Sequence, residues 1–144
     1  MLPPAFRKAV KESSGGNRTL CLGAHGKFDC LIGFGLSRID QLNAQLDREE
    51  DRAIARKDYD FDRDVRAAQL FGFEQLPFDD SGRFVMPEHL RELGKVEDGL
   101  YFQAAGDFFF VWAPQQLKLM GPEWKSAQAA CEKLIAGAKK GSAA

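Results

Sequence analysis

An imperfect internal repeat is the feature that most constrains how this 144-residue chain can fold. Pro3–Arg7 has the pattern Pro-x-x-Φ-Arg, where Φ is an apolar residue, and Pro87–Arg91 has the same pattern 84 positions later. Leu20–Cys30 and Leu100–Phe110 match in the same way at an offset of 80. Because two matched blocks recur in the same order, we infer two copies of one structural unit, which is what an internal repeat indicates.

Each copy predicts a short helix followed by a strand, a turn and a second strand. Pro3 and Pro87 suit the first helical turn, where the missing N–H of proline leaves no hydrogen bond unmade. Gly26 and Gly106 mark the turns, and the apolar residues around each turn alternate as in strands. The side chains predicted to share one face are Phe28, Cys30, Ile32 and Phe34 in the first copy and Phe108, Phe110 and Trp112 in the second.

The second copy is preceded by a segment that has no counterpart in the first copy. Residues Phe78–Met86 predict a strand, a tight Asp/Gly turn and a second strand that leads directly into Pro87. The first copy begins at Leu2, so we expect the first half to lack its first strand and turn. Either the polypeptide is truncated there, or Met1 is an internal residue taken for the start of a longer protein.

The remaining segments predict helices, which makes the expected fold class α+β. Ser37-x-x-Asp40 resembles a capping box, and the stretch of mixed charge after it predicts a solvated helical hairpin. A last helix follows Pro122. We expect a first half at 1–36, a helical pair at 37–72, a second half at 73–116, a C-terminal helix at 117–138 and a flexible tail at 139–144.

Composition excludes several classes of protein. The formal net charge is −1, from 20 Lys and Arg against 21 Asp and Glu, so bulk charge does not drive binding to nucleic acid, although a local basic patch is compatible with it. No apolar run reaches the roughly 18 residues of a membrane span. The three cysteines have no metal-type spacing and predict reduced thiols in a cytosolic protein. We expect neither a metal nor a cofactor.

Catalytic interpretations are weak. Cys30 with His25 suggests a nucleophile and a base, but Cys30 alternates in phase with Phe28 and is expected to be a buried, unreactive thiol. His25 is expected to be exposed beside the turn. The acidic series Asp58–Asp64 lacks the glycine and the terminal glutamate of an EF-hand and fits the start of an amphipathic helix better. We predict that the chain is not an enzyme.

The second copy resembles the MraZ family of bacterial transcriptional regulators. The residues that carry the resemblance are Asp79-x-x-Gly82-Arg83, Pro87-x-x-Leu90-Arg91, Gly99-Leu100-Tyr101 and Trp112-Ala113-Pro114. The resemblance implies two tandem AbrB-like (SpoVT–AbrB) half-domains whose swapped hairpins form a pseudo-dimeric β core. It also implies a ring-shaped homo-oligomer, in the cytoplasm at the nucleoid. Such a ring would bind double-stranded DNA at tandem repeats in the promoter of the division and cell-wall gene cluster and act as a repressor.

The resemblance also assigns a DNA-contacting turn, because the Asp-x-x-x-Arg turns of the MraZ family face the DNA. Arg83 is then the expected contact, with Asp79 capping the turn and Gly82 supplying a backbone conformation that other residues avoid. An arginine there can contact a phosphate or a guanine edge. Alternatively, Arg83 pairs with Asp79 or Asp80 and only holds the turn.

Basic residues on the two repeated helices are further candidates. Arg7 and Arg91 occupy equivalent positions and either extend a basic rim, together with Lys8 and Lys11, or form ion pairs between subunits. The alternative function is a β-rich oligomeric scaffold that binds protein partners without reading DNA. The expected absence of the first turn keeps this alternative open.

Overall fold

The computed structural model describes residues 1–143, with side chains described up to residue 137. Its helices are α1 (Pro4–Ser13), α2 (Ile39–Ala55), α3 (Arg63–Leu70), α4 (Glu88–Leu93), α5 (Pro114–Leu117) and α6 (Lys125–Ala143). Its strands are β1 (Thr19–Ala24), β2 (Leu31–Phe34), β3 (Phe73–Pro77), β4 (Tyr101–Ala104) and β5 (Phe109–Trp112). The α+β class that the sequence predicts is confirmed.

The five strands form one antiparallel sheet in the order β3-β1-β2-β5-β4. β1 and β2 form one hairpin, β4 and β5 form the other, and the β2·β5 pair joins the two. The residues paired there are Leu31 with Val111, Ile32 with Phe110 and Gly33 with Phe109. This register is symmetric about the Ile32–Phe110 pair, as a pseudo-two-fold axis through that pair requires.

Both copies of the repeat contain the predicted helix, strand, turn and strand. The two helices start in the same way, after a proline with extended backbone: Pro3 has φ −61° and ψ 153°, and Pro87 has φ −58° and ψ 143°. Proline favours this geometry because its ring fixes φ near the value found here.

The alignment of the two hairpins needs one correction. The last pair of the first hairpin is Ala24 with Leu31, and that of the second is Ala104 with Phe109, so the first loop is two residues longer. The offset therefore falls from 80 to 78 across the turn. The predicted equivalence of Cys30 with Phe110 is wrong, because Ile32 takes that place.

Helices and loops cover both faces of the sheet, since alternate side chains of a strand point to opposite sides. On one face Leu31 and Val111 are fully buried, in a core shared with Val10 of α1 and Leu90 of α4. On the other face Trp112 is fully buried against α6. The side chains that pack with it include Phe28, Cys30 and Phe110, which the sequence predicts to share a face.

The sequence predicts two strands around the 79–83 turn, and the structure forms one of them. β3 ends at Pro77, just before the turn, and pairs with β1. Residues 83–86, after the turn, pair with no strand in the part of the chain that the structure describes. The prediction of the second strand is therefore wrong. The swapped-hairpin arrangement of the half-domains stays a prediction.

α2 and α3 form a helical pair, packed through Leu42, Leu46 and Leu70. The predicted capping box is wrong, because a 3-10 turn at Leu36–Arg38 leads into α2, which has no side-chain cap. The hydroxyl of Ser37 instead shares a 2.5 Å hydrogen bond with that of Ser13.

α6 runs to Ala143, and Ala144 lies outside the described residues. The flexible tail at 139–144 and the boundaries of the two halves stay predictions. Among the described helices, none combines the length and the apolar character that a membrane crossing needs.

Candidate nucleic-acid interface

The Asp79–Arg83 turn is held together by the side chain of its first residue. Asp79 Oδ1 accepts hydrogen bonds from the backbone N–H groups of Ser81 (3.0 Å) and Arg83 (2.9 Å). The backbone closes the turn as well, because the N–H of Asp79 donates to the carbonyl of Arg83 at 3.0 Å. An aspartate that accepts N–H groups further along the chain caps a turn. Asp79 thus has the capping geometry that the sequence predicts.

These hydrogen bonds favour the ionised form of Asp79. The backbone N–H of Arg83 is the largest cause of the lowered pKa of the Asp79 carboxyl, and the side chain of Arg83 lowers it further. A carboxylate stabilised in this way stays charged at neutral pH and keeps its hold on the turn.

Gly82 is required by the turn for two reasons. Its φ of +82° lies in the left-handed region that favours glycine. A Cβ atom there would also collide with the carbonyl oxygen of Leu2, whose N–H donates to the carbonyl of Gly82 at 2.7 Å. The first residues of the chain therefore lie directly against the turn.

Two arginines of the first half reach the same turn through Asp80. Arg7 of α1 donates from Nη1 to the backbone carbonyl of Asp80 at 2.8 Å. Arg18, directly before β1, pairs through Nη1 with the Asp80 carboxylate. The two arginines are 73 and 62 positions away from Asp80 in the sequence, so these long-range contacts fix the turn against the first half.

Arg83 itself is anchored at one edge and open at the other. Its Nε donates to Asp79 Oδ2 at 2.9 Å, while 73% of the side chain is exposed. The two terminal nitrogens make no hydrogen bond within the described residues. A guanidinium held in this way can still donate two parallel hydrogen bonds to a phosphate or to the O6 and N7 atoms of guanine. The pairing with Asp79 and a contact with DNA are therefore compatible.

The structure separates the other predicted basic residues from this turn. Lys8 is exposed on α1. Arg91 lines a different cleft, beside Glu97 and Asp98, and donates to the carbonyl of Glu97 at 3.5 Å. Of the predicted helix residues, Arg7 is the one that contacts the turn.

Comparison with curated proteins finds transcriptional regulators that are similar to this chain. Over 114 residues the chain is 32% identical to the transcriptional regulator MraZ of Parvibaculum lavamentivorans, covering 77% of this chain and 65% of that protein. It is 29% identical over 124 residues to MraZ of Ruegeria pomeroyi, covering 78% and 68%. It is also 30% identical over 91 residues to MraZ of Rickettsia bellii, covering 62% and 56%. This chain is similar to the MraZ transcriptional regulators.

The match to these MraZ relatives is partial. The matched stretch spans 65% of the Parvibaculum protein and 56% of the Rickettsia protein, which is less than two thirds of either. No family model and no solved structure matches the chain. The motif Asp79-x-x-Gly82-Arg83 forms the turn described above.

Sequence reasoning missed two arginines that make specific contacts in the structure. Arg18 belongs to a polar loop, and nothing in the sequence indicates its pairing with Asp80. Arg38 is 8% exposed and lies between the rings of Phe34 and Phe108, at 5.5 and 5.1 Å from their centroids. No sequence signal distinguishes it from the exposed arginines of α2.

The residues considered for catalysis have structural explanations. Burial, with a smaller effect of Asp29, raises the pKa of the Cys30 thiol to about 12, which leaves almost no thiolate at neutral pH. The prediction that His25 is exposed is wrong, because it is half-buried and its ring stacks on Phe28 at 4.8 Å. Asp62 caps α3 by accepting from two backbone N–H groups of its first turn.

Proposed function

We propose that this chain regulates transcription by binding DNA sequence-specifically, with Arg83 as the contacting residue. The geometry of Arg83 carries the proposal, since one edge of its guanidinium rests on Asp79 and the other faces solvent. A fixed guanidinium loses less side-chain entropy on binding than a free one. The relatives' name, transcriptional regulator, supports the same role.

The charge around the turn fits contact with a polyanion. Arg7, Arg18 and Arg83 face Asp79 and Asp80, which leaves one net positive charge on a chain whose overall net charge is −1. Exposed Lys8 on α1 would extend this rim toward the DNA backbone, and Arg91 would extend it or form an ion pair between subunits. Backbone contacts of this kind position a protein without reading sequence.

A single protomer with so few cationic contacts binds DNA weakly, and we propose that assembly compensates for this. A ring-shaped homo-oligomer presents identical turns to tandem repeats. Each engaged turn then raises the effective concentration of the next. The DNA we propose is the promoter of the division and cell-wall gene cluster, bound by a repressor in the cytoplasm at the nucleoid.

Fluorescence anisotropy tests this proposal. The duplex is the DNA directly upstream of the chain's own gene, with a scrambled duplex beside it and the salt concentration varied. We expect preferential binding to the upstream duplex, with an affinity that falls as salt rises because counterions are released. Equal, weak binding to both duplexes would contradict the proposal and favour the protein-binding scaffold.

Variants then separate Arg83 from bulk charge. We expect Arg83→Ala to weaken specific binding by about 10- to 100-fold, the discrimination typical of one bidentate base contact. Arg63→Ala is the matched control, because it removes an equal charge from an ion pair with Asp47 on the helical pair. Size-exclusion chromatography with light scattering should show the same assembly for both variants. Loss of assembly in Arg83→Ala would make Arg83 an interface residue instead.

A further inference from the structure

We propose that Arg18 is a positioning residue of the DNA-contacting turn, acting through Asp80. By holding the Asp80 carboxylate, Arg18 keeps the terminal nitrogens of Arg83 free for DNA. This inference rests on the proposed function and adds to its site a residue that the Asp-x-x-Gly-Arg motif does not contain.

The sheet places Arg18 beside the turn. In the β1·β3 ladder Thr19 is opposite Pro77, and one step further the carbonyl of Arg18 accepts from the N–H of Phe78 at 3.1 Å. The turn begins at the next residue, Asp79. The strand register therefore places the Arg18 side chain beside the turn, where its Nη1 forms an ion pair with the Asp80 carboxylate.

The Asp80 carboxylate is the most exposed acid of the turn, so it is free to reorient unless a cation holds it. Its side chain is 94% exposed, against 45% for Asp79. Arg7 holds the backbone carbonyl of Asp80 and not its carboxylate. Within the described residues, Arg18 is the cation that pairs with this carboxylate.

A released Asp80 would compete for the group that the proposed function requires. Asp80 lies three residues before Arg83 in the same turn, and Asp79 occupies only the Nε of that guanidinium. The open edge of an arginine matches a carboxylate as well as a phosphate, since both accept two parallel hydrogen bonds. A carboxylate on the same turn would meet that edge at a far higher effective concentration than DNA does.

A double-mutant cycle in the full chain tests the proposal, with the upstream duplex at about 0.1 M salt as the probe. The variants are Arg18→Gln, Asp80→Asn and the two combined. We expect Arg18→Gln to weaken binding by about three- to fivefold, the most that competition from an exposed ion pair supplies, and Asp80→Asn to stay within about twofold of the unaltered chain. The combined variant should stay within about twofold of Asp80→Asn, because the competing carboxylate is then gone.

A direct phosphate contact by Arg18 gives a different pattern and would overturn the proposal. Arg18→Gln would then weaken binding by the same factor in both backgrounds and reduce the salt slope by about 0.9. Arg18→Lys should restore binding to within about 1.5-fold of the unaltered chain, because a lysine still pairs with Asp80. Arg63→Gln, which removes a charge from the helical pair, should change binding by less than about twofold.

Thermal unfolding tests whether Arg18 acts only by stabilising the fold. An exposed ion pair contributes about 0–1 kcal/mol to stability, so all variants should unfold at nearly the same temperature. A large fall shared by Arg18→Gln and the combined variant would make Arg18 structural and overturn the proposal.

If the unaltered chain shows no preference for the upstream duplex, the proposed function fails, and elution from heparin still decides the role of Arg18. Arg18→Gln should elute at a lower salt concentration than the unaltered chain. The combined variant should elute at the same salt concentration as Asp80→Asn. Equal shifts in both backgrounds would overturn the inference.

Discussion

Ile32 of β2 and Phe110 of β5 lie directly opposite each other at the centre of the sheet and are equivalent residues of the two halves. Their neighbours Leu31 and Val111 are fully buried in one core. The halves are therefore joined through a shared ladder and a shared core, and neither hairpin has a core of its own. Unfolding of one half removes the packing of the other, which makes a single cooperative transition the expected behaviour.

The first prediction concerns Gly33, which pairs with Phe109 in this ladder. A Cβ atom on Gly33 would collide with the Phe109 ring. Phe109 is 6% exposed, so a displaced ring would lose part of its packing in the core. We expect Gly33→Ala to lower the free energy of unfolding by about 1–3 kcal/mol, measured by urea denaturation. Gly99→Ala is the control, since a Cβ there meets no atom within 4 Å. Equal effects of the two substitutions would show that the ring does not pack as described.

The second prediction compares two glycines that share a left-handed conformation. Gly82 has φ +82° and lies against Leu2, whereas Gly106 has φ +88° and open space where a Cβ would point. Alanine should destabilise the chain at both positions by about 1–2 kcal/mol through backbone strain. Gly82→Ala should lose a further ~1 kcal/mol or more, because it also displaces Leu2 from the turn. Chemical denaturation measures both, and an equal loss at the two positions would contradict the contact with Leu2.

The repeated helices, hairpins and Asp/Gly turn were predictable from the sequence because their determinants are local. Pro3 and Pro87 fix the start of each helix, and Gly82 fixes the turn. The two-residue difference between the hairpin loops was not predictable. Each loop has a glycine as its second residue and mixes polar with apolar residues, so the register depends on pairing across the sheet.

The contacts around Asp80 were not predictable for a related reason. The pairing with Arg18 depends on β3 lying beside β1, an order that does not follow the chain. The prediction of a capping box is wrong for the same reason, because the Ser37 hydroxyl forms a hydrogen bond with Ser13 of α1 and not with the backbone of α2. In both cases a side chain that could form a local hydrogen bond instead contacts a residue distant in the sequence, and that contact depends on the tertiary structure.

The third prediction is a pH dependence that arises from His25. Its Nδ1 accepts hydrogen bonds from the backbone N–H groups of Lys27 (2.9 Å) and Phe28 (3.1 Å), so the loop requires the unprotonated ring nitrogen. Burial, and to a smaller extent Arg66 and Lys27, lower the pKa of His25 from its usual 6.5. The unfolded chain therefore binds the proton more tightly. The contribution of His25 to stability is complete above pH 6.5 and is lost as the pH falls through the lowered pKa.

Thermal unfolding between about pH 5 and pH 7.5 measures this dependence. His25→Asn should flatten the pH dependence, because an asparagine oxygen accepts the same N–H groups without titrating in this range. If His25→Asn retains the full slope, another group is responsible.

The last prediction separates the packing of Arg38 from its charge. The guanidinium lies between Phe34 and Phe108, donates to Gln45 Oε1 at 2.8 Å and approaches Asp107 at 3.8 Å. Among the described residues, its buried Nε has no hydrogen-bond partner. Burial is the largest cause of the lowered pKa of Arg38, and Asp107 opposes it in part. A methionine preserves the contacts of the aliphatic stem with the two rings and removes this incompletely paired charge. Arg38→Met should therefore change the free energy of unfolding by less than about 1 kcal/mol, whereas Arg38→Ala should lower it by about 2–3 kcal/mol through lost packing. Urea denaturation of both variants distinguishes the two contributions. Equal destabilisation by methionine and alanine would mean that the guanidinium itself, through the rings and Gln45, stabilises the junction between the first half and the second hairpin.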